Sequence, residues 1–525
     1  MRCFPLIVVV GLSAIAVPAQ ANPVTIALRT TKSLTDTSTN CSNALSNQPC
    51  LTPHVSNNPS PSAHLLAQTS GIPGISPPAF LEPSPNPLQF PTQPAEVQIN
   101  INEPITLDQA LVLARRNSPA IIQAQLLVDR ARARVQEVYA SEFPLGTAQL
   151  GITRSTSENL FVVPQGGLPG PITQTGGNTS INATIQFNYN LYSGGRRPAT
   201  IALANSQLRS AQLALETRLN QLRLDVANDY YGLQQADGQL TIAEAFVEQA
   251  QRSLRDAQLR EQAGLGTRFE VLQAEVALAN AVQQRRNALS TQAIARRQLA
   301  QRLNLPLNAQ IVAADPVAPL GNWNLTLEET IILALKNRAE IEDELLTIEQ
   351  SEQQEQIARA DTLPQVNLFA SYGLQRTLGN VGGAGWSNNS QIGIQAQWTF
   401  FDAGAARSRI NQALINTNIA QSQFQEQRNR VRFQVEQSFY NLQANQDNIG
   451  TARVAVERAE ENLRLARLRF QAGVGTQSEV ITAQSDLTQA RVNSLTAVIN
   501  YNRALASLQR SVTNLPDSQL FRLPN

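Results

Sequence analysis

The chain pairs polar groups with conformationally free backbone most clearly in two short stretches. They are Gln262-Ala263-Gly264-Leu265-Gly266-Thr267 and Gln471-Ala472-Gly473-Val474-Gly475-Thr476, each followed one helical turn later by an acid, Glu270 or Glu479. Glycine there allows the left-handed backbone of a tight turn between antiparallel helices and lets a partner's backbone approach closely. An acid in the first turn of the helix that follows interacts favourably with the helix dipole. This is the chemistry of a turn and a contact surface. Bond-breaking chemistry has no comparable candidate. His54 and His64 stand beside Cys41 and Cys50 in a segment rich in Pro, Ser, Thr and Asn. A metal site there would need a packed second shell that such a composition does not supply. The two cysteines could pair in an oxidising compartment or remain idle thiols. No Ser/His/Asp set, metal cluster or phosphate loop falls on a segment that reads as ordered. The chain is therefore read as no enzyme, with no cofactor and no metal.

Composition narrows the class further. Charged residues make up 15%, against roughly 25% in a typical soluble protein. Lys32 and Lys336 are the only lysines, and the formal net charge is +1, so no basic footprint for nucleic acid exists. Arg2, the apolar residues 6–17 and the small-x-small site Ala19-Gln20-Ala21 read as a secretory signal over residues 1–21, with Cys3 removed along with it. That apolar run is too short to span a bilayer, and no later run of about 18 apolar residues suggests a transmembrane helix. Residues 22–100 read as a Pro/Ser/Thr-rich disordered extension.

The elements that hold the two turns come from an internal duplication. Thr106-Leu107-Asp108 returns as Thr326-Leu327-Glu328, Phe143-Pro144 as Leu363-Pro364, and Tyr230-Tyr231 as Phe439-Tyr440. The first repeat is expected over residues 101–310: a helix, strands near 146–155 and 179–192, a long helix 197–263 and a return helix 267–304. The second is expected over 311–516: a helix, strands near 365–375 and 390–401, a long helix 405–472 and a return helix 476–513, before a tail at 517–525. The glycine-rich stretches 166–177 and 379–389 read as the loops joining the strands. In the strands apolar and polar residues alternate, as in Ile181-Asn182-Ala183-Thr184-Ile185-Gln186-Phe187. Such alternation fits either a soluble sheet with one face on a core or a membrane β-barrel with one face on lipid. Length and alternation together favour the barrel, with Tyr189, Tyr192, Trp398, Phe400 and Phe401 as an interfacial girdle. Four strands cannot close a barrel and a bilayer does not tolerate open edges, so other copies must complete it.

Each long helix is about 100 Å at 1.5 Å per residue, too long for a globular core. Val226, Leu233, Leu240, Val247 and Leu254 repeat every seven residues, with an alanine row at 236, 243, 250 and 257. Val435, Leu442, Ile449, Val456 and Leu463 repeat that row in the second copy. Such heptads predict a left-handed coiled coil. Leu208, Leu215 and Leu222 keep the period four residues out of phase, which locally relaxes the supercoil.

The secretory signal, the duplicated helix-strand-strand-helix unit and the paired Ala-Gly-x-Gly-Thr turns resemble the TolC-like outer membrane efflux family. The segment Phe400-Phe401-Asp402-Ala403-Gly404 is close to that family's strand-to-helix junction; its counterpart Leu191-Tyr192-Ser193-Gly194-Gly195-Arg196 has Ser193 where an acid is usual. The resemblance covers about residues 105–515. It implies a mixed α/β membrane protein: a long antiparallel coiled-coil helical barrel plus a transmembrane β-barrel with four strands per protomer, completed by a homotrimer. It implies an outer-membrane location with a periplasmic helical tube. The implied partners are a periplasmic adaptor (membrane fusion protein) and an inner-membrane transporter of ABC, RND or MFS type. It further implies adaptor contact at Gly264, Leu265, Gly266, Thr267, Gly473, Val474, Gly475 and Thr476, and a periplasmic entrance at Glu270 and Glu479. Where some members carry a second acid, this chain has Thr482 or Gln273, so a strong second charge ring is not expected. An adaptor-like or purely structural envelope coiled coil is the alternative, and the alternating strands argue against it.

Overall fold

The computed structural model describes residues 81, 90–99, 101–165, 168–379 and 385–512. The expected signal at 1–21, Lys32, Cys41, Cys50, His54, His64 and the tail at 517–525 lie outside the described residues. In chain order the elements are β1 (Ile101–Ile105), α1 (Leu107–Asn117), α2 (Pro119–Tyr139), β2 (Leu145–Gln165), β3 (Leu168–Tyr192), α3 (Arg196–Gln262), α4 (Arg268–Arg302) and β4 (Ala309–Ala313). They continue with α5 (Leu327–Asn337), α6 (Ala339–Ala360), β5 (Gln365–Gly379), β6 (Trp386–Gln397), α7 (Ala405–Gln471) and α8 (Gln477–Val512). Helices α3 and α7 are 67 residues each. Among the described residues no helix is long and apolar enough to cross a membrane, a statement that does not bear on the strands.

β2, β3, β5 and β6 form one antiparallel sheet in that order, and its register sorts the side chains. The pairings place Ala148, Ile185 and Tyr372 on one face in one row, and Phe187, Ala370 and Ile392 in the next. Thr147, Gln186, Ser371 and Gln391 share the other face. On the apolar face Leu150 is 75% and Ile392 79% exposed, so no core of the described residues covers it. Among the described residues β2 and β6 each have one edge without a partner strand.

Both strands of the first hairpin run beyond the expected 146–155 and 179–192, and most of the stretch 166–177, read as a loop, belongs to β3. Glycines and prolines made it look like a loop. In a two-stranded ribbon only one edge of each strand is hydrogen-bonded, so Pro169 and Pro171 are tolerated in the ladder. At the second hairpin β5 likewise runs past 375 to Gly379, and β6 starts at Trp386, inside the stretch read as a loop, but ends at Gln397, short of 401. Trp398 donates Nε1–H to the Thr362 carbonyl at 3.1 Å. The chain then turns into α7 through Ala403 and Gly404, both at positive φ.

α3 pairs with α4 and α7 with α8 as two antiparallel hairpins, and α3 against α8 joins them. The alanine row of α3 is buried at 236, 243, 250 and 257, as are Ala274 and Ala281 facing it from α4. Small side chains let the helix axes come close, with Leu254 and Val271 packed beside Ala257 and Ala274 near the turn. The four-residue phase shift in α3 coincides with a change of neighbours. Its first third meets α6, with Arg209 on Glu342 at 2.7 Å, and the stretch from Val226 onward meets α4, α8 and a belt made of β1, α1, β4 and residues 314–324.

The belt contains a parallel pair, β1 with β4, in register from Ile101 with Ala309 to Ile105 with Ala313. This pair leaves no trace in the sequence pattern. Runs of five residues are too short to show a period, and the two partners lie about 208 residues apart in sequence. Tyr230, fully buried, anchors the belt to α3: its hydroxyl lies 2.8 Å from Asp315 Oδ2 and accepts Asp315 N–H at 3.2 Å. Asp315 Oδ2 also accepts the Leu107 N–H at 2.7 Å. Burial pushes the Tyr230 phenol up from its ordinary value, so it stays neutral. Leu81, within the stretch read as disordered, is buried in the same core, and Asn117 Nδ2 donates to its carbonyl at 3.2 Å.

Two polar joints tie the earlier helices to the ends of α4 and α8. Asn304, just past α4, donates to the Asn117 carbonyl between α1 and α2 at 3.1 Å. Arg510, near the end of α8, reaches Glu340 at the start of α6 at 2.6 Å.

Candidate functional site

The two hairpins end in turns built alike. After α3 the chain caps with Gly264 at φ 71°, and after α7 with Gly473 at φ 76°. In each turn a residue two positions past that glycine donates back into the helix: Gly266 N–H to the Arg260 carbonyl and Gly475 N–H to the Arg469 carbonyl. A Cβ at Gly475 would sit 3.0 Å from the Phe470 nitrogen, and one at Gly266 would sit 3.1 Å from Arg260 Cβ. The glycines are thus accounted for by the turn itself. Leu265 and Val474 are not: they occupy the crown of each turn, 73% and 71% exposed.

The threonines and acids divide unequally. Thr267 caps α4 with its side chain accepting from Glu270 N–H, and Glu270 Oε2 accepts the Thr267 N–H at 2.9 Å, a reciprocal capping box. In the second turn Thr476 accepts from Glu479 N–H at 3.3 Å. The Glu479 carboxylate faces Arg469 at 3.7 Å. The structure therefore occupies Glu270 in local capping and leaves Glu479 half exposed beside an arginine.

Three features of this end were missed in the sequence. Arg260 Nη1 donates to the Phe470 carbonyl at 3.1 Å, which joins the two tips. Gln477 Nε2 donates to Ser253 Oγ at 2.9 Å, both residues buried, which joins α8 to α3. The signal for both was a break in the duplication, since Phe470 stands where the first copy has Glu261, and Gln477 where it has Arg268. The third is Asp486. Ser478, Glu479, Thr482, Ser485, Asp486, Gln489 and Asn493 form one exposed stripe on α8. Thr482 supplies no second acid, but Asp486, two turns beyond Glu479, does. Among the described residues no group of three His, Cys, Asp or Glu could hold a metal ion.

Comparison with known proteins adds three findings. The family model described as outer membrane efflux protein matches residues 110–305 and 330–514. Protein CyaE of Bordetella pertussis is 26% identical over 418 residues, covering 79% of this chain and 85% of that one. In fold, solved outer membrane channels are among the structures that the chain is similar to. The CmeC outer membrane channel of Campylobacter jejuni has a TM-score of 0.65 at 16% identity, covering 82% of this chain and 94% of that one. The MtrE outer membrane channel of Neisseria gonorrhoeae, in its open state, has a TM-score of 0.64 at 17% identity, covering 77% and 88%.

Proposed function

The chain belongs to the outer membrane efflux protein family, and from that premise we propose how its parts divide the work of an export duct. The protein is an outer-membrane channel with a periplasmic helical tube. It works as a homotrimer with a periplasmic adaptor and an inner-membrane transporter, in efflux or type I secretion. The observation that carries this is the sheet of β2, β3, β5 and β6, with one apolar face and two edges that lack partners among the described residues. In a bilayer such a sheet is stable only when each β6 pairs with the β2 of the next copy. Its role is conduction, and no reaction is assigned to it.

The adaptor surface we assign to the two crowns: Gly264, Leu265, Gly266 and Thr267, with Gly473, Val474, Gly475 and Thr476. Support comes from Leu265 and Val474, apolar side chains that the turn does not need and water surrounds. The entrance charge we assign to Glu479 and Asp486 on the exposed α8 stripe, and Glu270 we assign to capping. Three copies around an axis would bring like charges together and favour cations there.

The test uses Leu265→Cys and Val474→Cys, which leave the strained glycines intact. Heat-modifiable trimers in the outer-membrane fraction and adaptor crosslinks from both positions are the expected results. A soluble species would count against the duct. Trimers that export normally and yield no adaptor crosslink would count against the crowns.

A further inference from the structure

Two glycines interrupt the long helix α3, Gly232 and Gly238, and neither serves a turn. Glycine weakens a helix interior, so each position calls for a packing reason. Both face α8. A Cβ at Gly238 would lie 2.7 Å from Leu495 Cδ2, and one at Gly232 would lie 3.3 Å from Arg503 Nη2. Gly238 admits an apolar side chain into the seam. Gly232 makes room for a guanidinium, which donates Nη1–H to Gln235 Oε1 at 3.1 Å.

Arg503 lines a recess of about 310 Å³, together with Asn228 of α3, Ser438 and Asn441 of α7, and Asn500 and Ser507 of α8. That volume is at the lower end for small-molecule pockets. Every named neighbour is a neutral hydrogen-bonding side chain, and among the described residues of the lining Arg503 is the one charge. The nearest carboxylate felt by Arg503, Asp229, already accepts from Arg302 at 2.7 Å and Gln298 at 2.8 Å. Burial lowers the Arg503 pKa from its ordinary value, but a guanidinium remains charged throughout the physiological range.

The recess also has a defined side. Tyr501 and Asn502 of α8 are held by the belt, through the Gly321 carbonyl at 2.6 Å and the Ala318 carbonyl at 2.9 Å. Asn500, Arg503 and Ser507 lie on the opposite face of α8 by helical spacing. That face continues Glu479, Thr482, Asp486, Gln489 and Asn493. If the belt wraps the outside of the tube, the recess opens into its lumen.

We propose that this recess is an oxyanion-binding station in the lumen wall, one per protomer, that takes carboxylate or phosphate groups of molecules inside the duct. Arg503 supplies the charge, Gly232 the space, and the surrounding amides and hydroxyls the hydrogen bonds. The stripe then runs from acids near the entrance to a guanidinium at belt level. This rests on the duct reading, because only a tube makes that face internal.

The test is calorimetric titration of the purified trimer at low salt with inorganic pyrophosphate, and in parallel with citrate. The expected result is three sites per trimer for at least one anion, weakened by added salt. Arg503→Gln should weaken binding about tenfold or more, as loss of a charge-assisted hydrogen bond implies. Gly232→Ala, which keeps the charge but crowds it, should weaken binding severalfold. Asn500→Leu, which fills the recess, provides a second variant if Arg503→Gln does not assemble. Binding of neither anion by wild-type trimer overturns the proposal, as does binding that Arg503→Gln or Asn500→Leu leaves unchanged. Trimer formation is read separately by gel mobility, so a trimer that fails to bind sinks the recess alone, and a chain that never trimerises sinks the duct.

Discussion

Arg260 lies 4.5 Å above the ring of Phe470 and donates to that residue's carbonyl, at 3.1 Å. One side chain on the first hairpin thereby satisfies an end-of-helix carbonyl on the second and stacks on its terminal aromatic. A hydrogen bond from a charged donor contributes about 1.5–3 kcal/mol, and the cation–π contact adds roughly 0.5–1 kcal/mol where exposed. Arg260→Ala is expected to let the tips separate. Spin labels at Leu265→Cys and Val474→Cys should report a longer and broader distance distribution in that background. An unchanged distribution would show that backbone packing alone holds the tips.

The belt depends on a buried hydroxyl. Tyr230→Phe removes the group that lies between Asp315 and the Ile105 carbonyl. Leaving those polar groups without their partner should cost about 1–3 kcal/mol. Thermal unfolding of the trimer should show a lower midpoint for Tyr230→Phe than for the wild type, and equal midpoints would refute the anchoring role.

The joint between α8 and α6 should be acid-sensitive. Burial alone would raise the Glu340 carboxyl, but hydrogen bonds and charge from Arg338 and Arg510 outweigh it and bring it from 4.5 to about 2. A carboxyl depressed in the folded state stabilises fully above its unfolded value and loses that contribution as pH falls through the folded one. The window is therefore about pH 4.5 down to about 2, and the contribution at neutral pH is roughly 3 kcal/mol. Acid titration of the trimer should show wild type losing stability in that window. Glu340→Gln should start lower and lose less, and parallel curves would rule the coupling out.

The two faces of the barrel strands should respond oppositely. Leu150 lies on the apolar face and its neighbour Gln149 on the polar one. Leu150→Arg should destabilise by about 2–4 kcal/mol if that face meets lipid, while Gln149→Arg should be tolerated. Yields of heat-resistant trimer measure both. Equal yields would mean that the apolar face does not lie in the bilayer.

The crown glycines should be intolerant for a conformational reason. Gly473→Ala places a Cβ at φ 76°, a left-handed backbone that costs about 1–2 kcal/mol for an L residue. Val474→Ala should leave stability unchanged and reduce adaptor capture. Reduced capture by Gly473→Ala with no loss of stability would move the contact from the crown residue to the glycine itself.

Local, periodic features were legible in the chain alone. Alternation over residues 181–191 repeats every two residues, and the rows at Val226 and Val435 repeat every seven. Those periods can be read without knowing what each element touches. The duplicated Ala-Gly-x-Gly-Thr turns were legible too, because a left-handed backbone position selects glycine wherever it occurs. Only the tertiary structure decided how each Glu at the tips is held. Glu270 and Glu479 occupy equivalent positions in sequence, yet one closes a capping box and the other faces Arg469. It also decided the pairing of β1 with β4, the bond from Arg260 to Phe470, and the space that Gly232 leaves for Arg503. Each of these joins residues far apart in the chain, through a hydrogen bond or a close contact that has no period, so no local pattern can announce it.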